Sequence, residues 1–253
     1  MQKLESIAER IRRDFDARTA ARDKALATAR QLTRACSLAI RAAHRLETDT
    51  STRLSAGTST RLSAGTLTRL SAGEMAGQLS EARSLADALR AELQGYPDLF
   101  HAGYTQDALK EFVEANATCA LIQNQSLPTP EALGVGGATY LNGLAEVVGE
   151  LRRRTLDILR HGYSQEAERL LGLMDDIYSV LVSMDYPDAI TSGLRRQTDV
   201  ARSIIEKTRG DITFSLRGEH LEQAIGKLIV QLNGEQARVG KEAGAFVAQG
   251  EDD

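Results

Sequence analysis

Three stretches of the chain carry closely spaced acids: Glu111 and Glu114 in LKEFVEA, Glu146 and Glu150 in YLNGLAEVVGELRRR, and Asp175 and Asp176 in LMDDIY. Each reads as amphipathic helix, and glutamates three or four residues apart share one side of it, the side the apolar stripe leaves free. A like-charged pair at that spacing weakens a helix by about 0.2–0.5 kcal/mol. If the three faces meet, the acids share one small space, which is costly unless a divalent cation or a proton neutralises them. Carboxylate oxygens suit Mg²⁺ or Mn²⁺, and such a cluster suits metal-assisted phosphodiester hydrolysis: the cation lowers the pKa of a bound water and screens charge on the phosphate oxygens. The competing reading is ordinary solvated acids, with Glu150 paired to Arg154 four residues on.

The elements that must position these acids are helices throughout. Leu4, Ile7, Ile11 and Phe15, then Leu32, Cys36 and Ile40, recur at helical spacing and predict one long helix or two in series over Met1–Leu46. Glu74–Gln94 predicts another, closed by Gly95 and Pro97, and Thr105 reads as the N-cap of the helix carrying LKEFVEA. Gln123–Gly137 reads as a loop. A helix over Thr139–Arg160 follows, closed by His161-Gly162, and Ser164 caps the next. Beyond Tyr186-Pro187, Ile190, Leu194, Ala201, Ile204 and Thr208 recur at near-heptad spacing, then Leu221, Ile225, Leu228 and Leu232. The fold class is all-α, a bundle of about seven helices.

Composition agrees with that reading. Only four prolines, five phenylalanines and no tryptophan occur among 253 residues, and the chain is long enough to bury a sizeable core. Thirty-one Lys and Arg against 35 Asp and Glu give a net charge of −4, which excludes a globally basic nucleic-acid binder and leaves room for a basic face. Arg12 and Arg13, Arg153, and Arg195 and Arg196 are candidates for such a face, weighed against ordinary surface charge. Cys36 and Cys119 lack metal spacing and read as buried free thiols, and the four histidines are scattered without ligand spacing. Neither a secretory segment nor a run of ~18 apolar residues is present, so the expected location is the cytoplasm, with no membrane partner.

Thr50–Gly73 repeats STRLSAGT at a period of eight. Eight residues advance a helix by ~800°, so Leu54, Leu62 and Leu70 drift by ~80° per copy and form no constant face. The segment reads as a tolerated insertion, either flexible or a helical protrusion.

LKEFVEA, GLAEVVGELRR, HGYSQEA, DDIYSVL and YPDAITSGLRRQTDVARSIIEKTRG, in that order and spacing, resemble the translin family, on the side of translin-associated factor X. The resemblance covers most of the second half and, more weakly, the N-terminal third. It implies a translin-like domain over residues 1–216 with the insertion at 50–73, then a C-terminal helix and frayed tail over 217–253. It also implies a homo-oligomeric, octamer-like shell enclosing single-stranded RNA, or single-stranded DNA, and metal ligands at Glu111, Glu114 and Glu150. The family's catalytic aspartate falls on Ser179 by an ungapped count, so Asp176, or Asp175 beside it, is expected to substitute; Glu146 or Asp176 would orient the attacking water. The resulting expectation is a Mg- or Mn-dependent endoribonuclease acting on single-stranded or partly unpaired RNA. The alternatives are a non-catalytic translin-like shell that binds nucleic acid, and a helical scaffold using the Leu221–Leu232 stripe.

Overall fold

The computed structural model describes residues 2–46 and 58–248, with side chains from 3 to 46 and from 69 to 234. Among the described residues every regular element is a helix. Six are long: α1 (Gln2–His44), α2 (Thr58–Glu92), α4 (Gly103–Ile122), α6 (Gly137–Leu159), α7 (Gln165–Ser183) and α9 (Leu194–Ala248). Three are single turns at the breaks between them: α3 (Pro97–Phe100), α5 (Pro130–Leu133) and α8 (Asp188–Thr191). None is long and apolar enough to cross a membrane.

Helices α1 and α2 pack antiparallel, with Lys24 meeting Glu92 at one end and Arg45 meeting Glu74 at the other. One apolar core joins α1, α2, α4 and α5 through Leu32, Cys36, Leu89, Leu109, Phe112 and Leu133. A second joins α4, α6, α7 and α9 through Leu121, Val148, Leu151, Leu170, Met174 and Ile205. Helix α4 belongs to both, so its seam with α6 is where the two halves of the bundle meet.

The helix ends follow local chemistry in most places. Ser164 caps α7, its hydroxyl accepting from the Glu166 N–H at 3.2 Å. Thr129 caps the single turn α5 in the same way, inside the segment Gln123–Gly137 that reads from sequence as plain loop. Thr105 is a correction: α4 begins at Gly103 with Ala102 at the N-cap position, and the buried Thr105 hydroxyl donates instead to the Leu99 carbonyl at 2.8 Å. The side chain closes the α3–α4 turn, a tertiary demand that overrides the cap.

Two helices overhang the bundle. On α1 the buried positions begin at Ala25, and Leu4, Ile7, Ile11 and Phe15 are exposed. On α9 burial ends at Ile212, leaving Phe214, Leu221, Ile225, Leu228 and Leu232 exposed. The boundary at 216/217 falls within α9. The octad repeat is helical from Thr58 onward, continuous with α2; its first copy and residues 249–253 of the tail lie outside the described residues.

Candidate metal centre

Helices α4 and α6 run in the same direction, since Gln106 meets Thr139 and, further along both, Lys110 meets Glu146. They come close at Gly143, where an added Cβ would lie 2.7 Å from the Val113 Cβ and 3.0 Å from the Lys110 carbonyl. Only a residue without a Cβ fits there. Within a turn of that approach the acids begin, so the close packing fixes how near they come. Glu111, Glu114 and Glu146 offer carboxylate oxygens that all lie within 4.8 Å of one another.

Burial and mutual repulsion dominate the electrostatics. Burial, followed by the charges of Glu111, Glu146 and Glu150, pushes the Glu114 carboxyl up to about 8. Burial, and then Glu146, also raises Glu111. Carboxyls held above the usual range by burial and by one another keep a proton that a divalent cation can replace, and three hard oxygen donors within 4.8 Å are a donor set such a cation fits.

Lys110 meets part of that charge, its Nζ standing 2.7 Å from Glu146 Oε1 and 3.9 Å from Asp107 Oδ1. Burial acts to lower its ammonium, but the bond to Glu146 and the surrounding carboxylates outweigh it, and the net shift is upward.

Glu150 is placed differently from its neighbours. Its Oε2 is 2.5 Å from Nε2 of His44, at the end of α1, and that hydrogen bond holds the carboxyl below its ordinary value although burial works the other way. It adjoins the cluster closely enough to repel Glu111 and Glu114 but is not one of the three converging acids. The pairing of Glu150 with Arg154 is corrected here. Arg154 is buried and donates to the carbonyls of His44 at 2.8 Å and Leu46 at 2.5 Å, closing the open end of α1.

The α7 acids lie apart from the cluster in their contacts. Asp175 is bonded twice by Arg209 of α9, at 2.9 and 3.0 Å, Asp176 is exposed, and Ser179 is an exposed serine whose hydroxyl donates to the Asp175 carbonyl. The third converging carboxylate therefore comes from Glu146. His44 is the site residue that sequence reading missed, since no local spacing links it to Glu150 106 positions away. Cys36 and Cys119 are buried free thiols; burial raises both, Cys119 to about 12, and Cys36 is raised further by Glu111 and Glu114. Such thiols stay protonated and inert at neutral pH.

Of the basic candidates, Arg12, Arg13, Arg153, Arg195 and Arg196 are all exposed. Arg153 also stands 3.8 Å from Glu150 Oε2, and Arg152 and Arg209 are engaged within the fold, with Asp211 and Asp175 respectively.

Helices of this order with acids on the seam between α4 and α6 define an all-α class of protein with a candidate cation site at the meeting of its two cores. AfC3PO shares the fold: it is 30% identical in sequence, the match covers 83% of this chain and 97% of AfC3PO, and the TM-score is 0.68. The complex of AfC3PO with duplex RNA matches over the same shares with a TM-score of 0.66. An uncharacterized protein of Methanocaldococcus jannaschii is 27% identical over 215 residues, 85% of each chain. Apo-NeC3PO, at 20% identity and a TM-score of 0.64 over 82% of this chain and 96% of its own, shares the fold. No family model matches the chain. The chain belongs to the translin family, on its translin-associated factor X side, with AfC3PO.

Proposed function

We propose that the protein is a metal-dependent endoribonuclease that cleaves single-stranded or partly unpaired RNA inside a homo-oligomeric, octamer-like shell in the cytoplasm. The observation that carries this reading is the convergence of Glu111, Glu114 and Glu146 from two helices, with oxygens within 4.8 Å. These three would hold Mg²⁺ or Mn²⁺, with Glu150 fixed beside them by His44. A cation bound there supplies a water of lowered pKa and neutralises charge on the scissile phosphate. Of the chain's own groups, Glu150 is kept ionised by the His44 bond and holds a fixed negative charge beside the cluster, while Glu146 or Asp176 would orient the attacking water.

RNA as substrate rests on the likeness to AfC3PO, which has been captured with duplex RNA, and on exposed Arg12, Arg13, Arg153, Arg195 and Arg196, which suit phosphate contacts without base reading. Single-stranded DNA would meet the same backbone contacts. The exposed apolar faces of the α1 and α9 overhangs supply subunit contacts for a shell.

The test is cleavage of labelled single-stranded, bulged and duplex RNA with Mg²⁺ or Mn²⁺, against EDTA and against Glu114→Gln. Cation-dependent endonucleolytic products that vanish in the variant support the reading. RNA binding with no cleavage under any cation replaces it with a binding shell.

A further inference from the structure

Lys110 stands apart among the basic residues because its charge is turned inward to the cluster. Its side chain is only 21% exposed, and Nζ crosses the α4–α6 seam to Glu146 Oε1 at 2.7 Å. A second acid lies within reach on its own helix: Asp107 Oδ1, one turn back, is 3.9 Å from the same nitrogen and is 74% exposed. The ammonium thus has one partner inside the three-carboxylate set and one outside it. A divalent cation taking Glu146 as ligand would compete with Lys110 for that carboxylate, and two cations sharing one carboxylate repel.

We propose that Lys110 is a resident counter-ion that bonds Glu146 in the cation-free protein and moves to Asp107 when a divalent cation enters. The proposal rests on the reading of Glu111, Glu114 and Glu146 as a metal centre. Lys110 then sets the cation affinity of the site: it stabilises the cation-free chain, and each cation bound must displace it. Asp107 makes displacement easier by receiving the ammonium. The two residues act on affinity with opposite signs through their pairing, and Asp107 adds a smaller direct repulsion on Glu111.

The test is the dissociation constant for Mn²⁺, by titration calorimetry at fixed pH and ionic strength, for the full chain and its variants. Lys110→Gln is expected to bind Mn²⁺ only about tenfold more tightly, since solvent partly screens the Lys110–Glu146 pair, and Lys110→Arg is expected to stay near wild type. Asp107→Asn is expected to bind several-fold more weakly, and that deficit is expected to shrink in the Lys110→Gln background to the part due to Asp107's own charge near Glu111, the non-additivity expected of two coupled residues. Unchanged or weaker binding by Lys110→Gln overturns the proposal. So does an Asp107→Asn effect of equal size in both backgrounds, which would be plain removal of negative charge. Asp107 is exposed, so Asp107→Asn on its own spares the fold should Lys110→Gln destabilise the cation-free chain; unchanged affinity in it likewise overturns the proposal. If wild type itself takes up no Mn²⁺, the metal centre fails as a reading and this proposal falls with it, whereas a wild type that binds and variants that do not differ remove the proposal alone.

Discussion

Gly143 and Val113 are in such close contact that a Cβ on the glycine would lie 2.7 Å from the valine Cβ. The glycine thereby sets the separation of α4 and α6, and with it the separation of the acids those helices carry. Gly143→Ala is expected to cost about 1–3 kcal/mol by overpacking and to weaken Mn²⁺ binding with it. Thermal unfolding and calorimetry check both effects. Adding Val113→Ala, which removes the Cγ1 at 2.8 Å but keeps the Cβ at 2.7 Å, is expected to recover little of either.

Glu146 and Glu150 share a helix face but not a role. Glu146→Gln, like Glu114→Gln, is expected to reduce Mn²⁺ affinity by at least about 10-fold, on the order of the effect of removing one charged ligand. Glu150→Gln is expected to weaken the cation less and to lower stability instead, because it breaks the tie from α6 to His44. A larger cation effect at Glu150 than at Glu146 would restore the ligand set that the family resemblance implies.

The distinction between those two acids marks where sequence reading ran out. The amphipathic helices were legible because leucine stripes at 3.6-residue spacing bury against one another, as Leu109, Phe112, Val148 and Leu151 do. Glutamates three and four apart placed both acid pairs on helix faces. What chose Glu146 was long-range: His44 draws Glu150 aside, and Gly143 brings Glu146 against α4. The α7 acids could not be ruled in or out by counting, since the Arg209 that holds Asp175 comes from α9. Thr105 failed as a cap for the same kind of reason. The stripes Leu4–Phe15 and Leu221–Leu232 are legible as apolar faces and are exposed, because periodicity reports such a face but not whether the chain itself covers it.

Glu114 gives the cation-free protein a characteristic pH dependence. Its carboxyl is raised from 4.5 to about 8 in the folded chain, so the folded state binds the extra proton. Its contribution to stability is fully present below pH 4.5 and is lost as pH rises through about 8. Chemical denaturation in EDTA from about pH 5 to about 8.5 is expected to show that decline, and Glu114→Gln to flatten it. Because a cation must displace the same proton, Mn²⁺ affinity is expected to rise with pH across this window, with proton release seen as a buffer-dependent heat.

Arg154 and Arg195/Arg196 separate structural from nucleic-acid-binding arginine. Arg154→Ala is expected to destabilise the chain by about 1.5–3 kcal/mol by removing charged bonds to the His44 and Leu46 carbonyls, as seen in denaturant unfolding. Arg195→Ala/Arg196→Ala is expected to leave stability nearly unchanged and to weaken RNA binding. For each phosphate that no longer meets an arginine, the salt slope of single-strand affinity should fall by about 0.7.

Anomalous diffraction from crystals soaked in Mn²⁺ addresses the convergence of the three acids most directly. The expected result is one peak on the α4–α6 seam, about 2.0–2.3 Å from an oxygen of each of Glu111, Glu114 and Glu146. Saturating Mn²⁺ with no peak there, and Lys110 still bonded to Glu146, would contradict it.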